Sequence, residues 1–276
     1  MINMKNKNKI MIEKKYILPT GKNNLPIGVF DSGVGGISVL QEAIRELPSE
    51  NFIYFGDNKN APYGTKDEET IIRLTNISVD FLLSKNIKAL VIACNTATSA
   101  AINILRERLE IPVVGMEPAV KPAITEYGAE KVFVMATPAT LRLQKFNDLL
   151  CSFSEEARII SVPCPGLMEV TEKGIIEGDE VEIFLDKFFE NDKPKKGDVV
   201  VLGCTHYIFL KNFLKEYFAE GVEIIDGNSG TVKQLKKRLT EIGGLSNSNK
   251  QGLVSIFTSG EEETIMPVYE RLMSLK

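Results

Sequence analysis

Two cysteines in this sequence sit in nearly the same local setting. Val91-Ile92-Ala93-Cys94-Asn95-Thr96 and Val201-Leu202-Gly203-Cys204-Thr205-His206 each run from apolar residues through a small residue to a thiol, then to two polar side chains. A thiol ionises near pH ~8.5, so modest tuning lets it take or give a proton at neutral pH. Inverting a carbon stereocentre without a cofactor needs two such groups. One removes a proton from one face while the other supplies a proton to the opposite face. Each cysteine also leads into an expected helix, whose first N–H groups favour a thiolate. Asp31, at another expected strand end, and His206, the single histidine, are candidate proton partners.

The other two cysteines, Cys151 and Cys164, read as buried small hydrophobes. No C-x-x-C pair occurs, and the spacings do not supply the four close Cys/His ligands of a structural zinc site, so no metal is expected. The glycine-rich stretch Asp31-Ser32-Gly33-Val34-Gly35-Gly36 partly matches a dinucleotide fingerprint. Its third glycine position is Ser38, however, and Asp31 would bring negative charge towards a pyrophosphate. No nucleotide cofactor is expected. The same loop suits a substrate carboxylate held by backbone N–H groups at a helix N-terminus. Asp31 could alternatively cap the helix that starts near Gly35-Gly36.

What must position these residues is an alternation of short β-branched runs with longer amphipathic stretches, the pattern of an α/β fold with parallel sheets. Strands are expected at Pro26–Phe30, Phe52–Phe55, Ala89–Ala93, Pro112–Gly115, Lys131–Met135, Arg158–Val162, Val199–Leu202 and Glu223–Ile225. Val181, Phe184, Leu185, Phe188 and Phe189 mark one face of a helix, with Asp179 and Glu182 spaced as a capping box. Leu210, Phe213, Leu214 and Tyr217 mark another. The cysteine segments lie 110 residues apart, and three further strand–loop pairs recur in order at nearly the same offset. The chain therefore reads as a duplicated, pseudo-symmetric α/β unit with the thiols at carboxyl ends of strands; if the halves face each other about a pseudo-twofold axis, the thiols approach one cleft.

Composition fits a folded protein: 276 residues, 43% hydrophobic and 25% charged. No apolar run approaches the roughly 18 residues of a membrane span. Residues 1–25 hold six lysines and one acid, so the body is more acidic than the net charge of −4. That argues against nucleic acid as the main ligand. Residues 1–25 lack the apolar core of a secretory signal and read as a basic, mobile extension, which points to the cytoplasm.

In combination, Gly28-Val29-Phe30-Asp31-Ser32-Gly33-Val34-Gly35-Gly36, Pro62-Tyr63-Gly64, Ala93-Cys94-Asn95-Thr96-Ala97 and Gly203-Cys204-Thr205-His206-Tyr207 resemble the glutamate racemases of the aspartate/glutamate racemase superfamily. The resemblance runs from about Leu25 to the C-terminus. It implies cofactor-independent interconversion of L- and D-glutamate, D-glutamate supply to peptidoglycan, and a homodimer. It also implies two Rossmann-like α/β lobes with the site in the cleft between them, one over 26–117 plus 228–276 and a second over 118–227. Carried over by motif, Cys94 would deprotonate D-glutamate with help from Asp31. Cys204 would deprotonate L-glutamate with help from His206 and Glu172, with Glu169 as the competing acid. Asp31, Ser32, Pro62, Tyr63, Gly64, Asn95, Thr96, Thr137, Thr140, Thr205 and His206 would hold the substrate. Asn60 stands where many members carry arginine.

Other readings remain open from residues alone. Racemases of aspartate or hydantoins share the two-thiol idea. A binding protein for an acidic ligand would need neither thiol, and a thiol-redox enzyme would need the two close enough to bond.

Overall fold

The computed structural model describes residues 23–275, and the part of the expected basic extension up to residue 22 lies outside them. The described residues form two all-parallel sheets. The first contains β1 (Ile27–Asp31), β2 (Phe52–Gly56), β3 (Ala89–Ile92), β4 (Val113–Gly115) and β9 (Val254–Thr258), in the order β4-β3-β1-β2-β9. The second contains β5 (Lys131–Ala136), β6 (Arg158–Pro163), β7 (Val199–Leu202) and β8 (Glu223–Asp226), in the order β6-β5-β7-β8. Disregarding β9, both sheets have the same strand order: second, first, third, fourth. The repeat read from the cysteine segments is therefore a repeat of topology. The eight expected strands are present to within a residue or so, and β9 is the one the sequence reading missed.

Alternation along the strands explains why each sheet is covered on both faces. Ala89, Val91 and Ala93 enter one core cluster with Ile37, Leu40 and Tyr54, while Leu90 and Ile92 enter another with Ile71, Leu82 and Leu105. In the second sheet Phe133 and Met135 pack on Val181 and Leu185, whereas Val132, Val134 and Ala136 pack on Val120 and Phe146. After β8 the chain returns to the first sheet. Val232, Leu235 and Leu239 of helix Asn228–Glu241, and Tyr269 and Leu272 of helix Glu262–Ser274, complete the first of these clusters.

Several local expectations change. Helix Asp179–Phe188 buries Val181 and Leu185, but its N-cap is Gly178 at φ +92°, where glycine carries no Cβ penalty, and no side chain caps it. Asp179, Glu180 and Glu182 fall in the first turn instead, where they favour the helix dipole without a capping box. Cys151 is exposed at the end of helix Gln144–Cys151 rather than buried, because only Phe146 of that helix is fully covered. Asn23, at the start of the described residues, donates its amide to the carbonyls of Gly243 (2.9 Å) and Leu245 (3.0 Å).

Candidate active site

In both sheets the strand order reverses between the first and third strands, at β1/β3 and at β5/β7. Ligands of open parallel sheets bind at the carboxyl ends of strands flanking such a switch point. Asp31 ends β1, Cys94 follows β3, Thr137 follows β5 and Cys204 follows β7. The two thiols thus occupy equivalent switch points, and both are buried and free.

Their surroundings differ. Cys94 is the N-cap of helix Asn95–Arg108, and its Sγ accepts from the Ala97 N–H at 3.4 Å. Ser32 Oγ lies 3.4 Å from the same sulfur. Burial, followed by the charge of Asp31, pushes the Cys94 thiol up to about 12, against the Ser32 and Ala97 hydrogen bonds. Burial thus favours the thiol form of Cys94. Cys204 leads into a 3-10 turn, Thr205–Leu210, and its side chain does not cap it, so only Cys94 receives the expected helix-terminus N–H, and there burial outweighs it. Cys204 has an ionisable partner instead: His206 Nδ1 stands 3.9 Å from its Sγ.

His206 Nε2 meets Glu172 Oε2 at 2.5 Å. Burial alone would lower the imidazole pKa, but hydrogen bonds to Cys204 and Glu172 carry it well above the ordinary value. Glu172 also accepts from the Val34 N–H (3.1 Å) and from Asn58 Nδ2 (2.5 Å). Those donors and His206 outweigh burial and hold its carboxyl below the usual carboxylate range. Asp31 goes the other way: complete burial raises its pKa, against the opposing effects of His206, the Gly33 N–H and Thr205. Two carboxylates near one imidazole are thereby pushed apart, Glu172 towards the anion and Asp31 towards the acid.

Glu172, and not Glu169, is the acid brought to His206. Glu169 instead lines a cavity of about 80 Å³ with Pro62, Gly64, Thr137 and Cys164. Asp31 is not hydrogen-bonded to Cys94. Its Oδ1 accepts from the Gly33 N–H at 2.9 Å and its Oδ2 from Thr205 Oγ1 at 3.0 Å, across to the second sheet's loop. Nor does it cap helix Ile37–Glu46, whose N-cap is Gly36 with no side-chain bond. The Gly33 and Val34 N–H groups expected to cradle a substrate carboxylate are taken by Asp31 and Glu172.

The threonines converge. Thr96 Oγ1 lies 3.1 Å from Thr137 Oγ1 and 2.7 Å from Thr140 Oγ1, and the latter two are 2.9 Å apart. This hydroxyl triangle spans the two sheets' loops, and hydroxyls that satisfy one another can rotate to donate to a carboxylate. Asn95 adds a buried Oδ1 with no hydrogen-bond partner, an acceptor suited to an ammonium. Gly64 packs on Thr137, while Tyr63 is buried and spends its hydroxyl on Asp57 Oδ2 at 2.6 Å. Asn58, two residues past the carboxyl end of β2, was not among the residues read from sequence; that position was the available signal.

Gly35 seats the loop against the other half. A Cβ there would stand 2.4 Å from Thr205 Oγ1, 2.5 Å from His206 Nδ1 and 2.7 Å from the His206 backbone nitrogen. Gly35→Ala is therefore expected to push His206 off Cys204, and overpacking of this kind costs about 1–3 kcal/mol. Steady-state kinetics beside a melting curve would check it, with turnover falling far more than stability.

Two sheets of like order with paired thiols at their switch points define a class of enzyme, and the sequence matches it. Residues 27–235 fit the Asp/Glu/Hydantoin racemase family model, and the chain belongs to that family. A curated relative, the glutamate racemase of Clostridium novyi (strain NT), is 50% identical over 253 residues, spanning 91% of this chain and 98% of its own. Among solved structures, a glutamate racemase isoform of Bacillus anthracis superposes with a TM-score of 0.83 at 32% identity, covering 92% of this chain and 96% of its own. The Francisella tularensis glutamate racemase, solved in complex with D-glutamate, gives a TM-score of 0.79 at 29% identity, covering 92% and 95%. Among the described residues, no helix is long and apolar enough to cross a membrane.

Proposed function

We propose that this chain interconverts L- and D-glutamate by proton transfer at Cα between two thiols, without a cofactor. The observation that carries the reading is the equivalence of Cys94 and Cys204 at matching switch points, each buried beside its own polar partners. The 50% identical relative named a glutamate racemase supports glutamate over aspartate or a hydantoin.

In the forward direction Cys204, as a thiolate stabilised by the His206–Glu172 pair, takes the Cα proton of L-glutamate. Cys94, held as a thiol, delivers a proton to the opposite face. For D-glutamate the roles exchange. Ser32 tunes Cys94 directly, and Asp31 assists it from the end of β1. Asn95 accepts the ammonium, and Thr96, Thr137, Thr140 and Thr205 hold carboxylates, with Pro62, Tyr63 and Gly64 shaping the wall beside them.

This reading takes 26–117 plus 228–276 as one lobe and 118–227 as the other, with the substrate between them. It extends to a homodimer in the cytoplasm whose D-glutamate feeds peptidoglycan synthesis.

The direct test mixes the reduced protein with L-glutamate in D₂O, following circular dichroism and α-deuteration by NMR. Loss of optical activity with one deuterium at Cα per inverted molecule is the expected result. Decay with aspartate or a hydantoin but not glutamate would move the substrate assignment, and no exchange with any of them would remove the racemase reading.

A further inference from the structure

We propose that Asn58 is a positioning residue for the Cys204 half of the reaction, fixing the charge and orientation of Glu172 from the opposite sheet. The inference rests on the two-thiol reading above. Asn58 belongs to a 3-10 turn, Asn58–Asn60, that follows β2, whereas Glu172 ends helix Leu167–Glu172 of the second half. The Asn58 amide has no freedom to flip. Its Oδ1 accepts from Thr258 Oγ1 at 2.9 Å and from Tyr269 Oη at 2.5 Å, which uses both lone pairs. Nδ2 is thereby turned onto Glu172 Oε1 at 2.5 Å.

The space around this amide is committed to it. A Cβ at Gly56 would stand 2.0 Å from the Tyr269 hydroxyl and 2.7 Å from both Asn58 Oδ1 and the Gly33 carbonyl, so only glycine admits the pair. Tyr269 is itself pinned edge-on against Tyr54, with ring centroids 5.5 Å apart, and Tyr54 donates to the Gly33 carbonyl at 2.7 Å. The result is a chain of contacts from the last strand and last helix to one thiol: Thr258 and Tyr269, then Asn58, Glu172, His206 and Cys204. Among the described residues no comparable chain reaches Cys94.

Removing the Asn58 donor leaves Glu172 less favoured as the anion. His206 then holds its proton less firmly, and Cys204 loses support for its thiolate. Steady-state racemisation cannot display this asymmetry. The enantiomers are equal in free energy, so kcat/KM must fall equally in both directions in any variant. An irreversible half-reaction can display it. With 3-chloroglutamate, removal of the Cα proton breaks the C–Cl bond and expels chloride. The enamine left behind tautomerises and hydrolyses to 2-oxoglutarate and ammonium. Elimination from the L-enantiomer reads Cys204 as base, and elimination from the D-enantiomer reads Cys94.

The experiment compares both eliminations in Asn58→Ala, in the isosteric Asn58→Asp and in Tyr269→Phe, with Cys204→Ser as control. Hydrogen bonds to charged groups are strong enough that Asn58→Ala is expected to slow L-elimination about 10-fold or more. D-elimination should change by less than about threefold. Asn58→Asp keeps the shape but sets a carboxylate against Glu172, and should slow the L side further. Tyr269→Phe unlocks the amide and should slow the L side least. Equal slowing on both sides, or none, would overturn the proposal. If Cys204→Ser leaves L-elimination intact, the thiol assignment falls and the role of Asn58 with it.

Discussion

Cys94→Ser and Cys204→Ser are each expected to lose about 100- to 10,000-fold in racemisation, the usual contribution of a positioned acid or base. A serine hydroxyl is too weak an acid to replace a thiol in either role, although its size is nearly the same. The fold should be unaffected, because both side chains are small and buried within packed loops. The two variants should nonetheless fail differently. Cys94→Ser should still eliminate chloride from L-3-chloroglutamate, since Cys204 with His206 and Glu172 remains in place. Cys204→Ser should do so only from the D-enantiomer. Chloride release and 2-oxoglutarate formation, followed separately for each enantiomer, provide the measurement. Retention of full racemisation by both variants would end the two-thiol mechanism, and identical enantiomer preference would show that the thiols do not sit on opposite faces of Cα.

Lys88→Met should have the largest effect on stability and almost none on the chemistry. Lys88 is 0% exposed and Glu50 3%, and the two meet at 2.5 Å just before β3, at the end of the sheet opposite the thiols. Lys88 Nζ also donates to the carbonyls of Gly244 (2.8 Å) and Asn23, while Glu50 Oε1 accepts from the Ser246 N–H at 2.7 Å. One ion pair therefore ties together Asn23 ahead of β1, the loop before β2 and the segment that leads to β9. Burial lowers the Lys88 pKa, with Glu50 opposing it, so the ammonium depends on its partner. Removing the cation strands a buried carboxylate, which costs about 3–5 kcal/mol. For a chain of this size that is a fall in melting temperature on the order of 10 °C. The variant Lys88→Met with Glu50→Leu should recover part of it by removing the orphaned charge. Activity at 25 °C should match the parent in both. A fall in activity without a fall in melting temperature would place Lys88 in the site's support instead.

Sequence alone determined the layer pattern and the chemistry. Alternating apolar runs with period two and helical faces with period 3.6 are local properties, and they located eight strands to within a residue or so. Cys94, Cys204, Asp31 and His206 stood out because each lies at or just past the end of an apolar strand run, which in a parallel sheet means the ligand-binding edge. β9 was missed because it is an edge strand, exposed at Val254 and Ser255, so burial had not written a strong apolar pattern into Val254–Thr258.

Tertiary structure decided what those residues touch. Glu169 and Glu172 are three apart on one short helix, and nothing local distinguishes them. Only the closing of the second half on the first gives Glu172 the Val34 and Asn58 donors, while Glu169 faces the cavity beside Pro62, Gly64 and Thr137. The same closure gave the Val34 N–H to Glu172 rather than to a substrate carboxylate, while the Gly33 N–H is taken locally by Asp31 two residues before it. It also paired Asp31 with Thr205 rather than with Cys94. Hydrogen bonds between residues more than 100 positions apart depend on how two sheets meet, and that is a property of packing which no window of sequence contains.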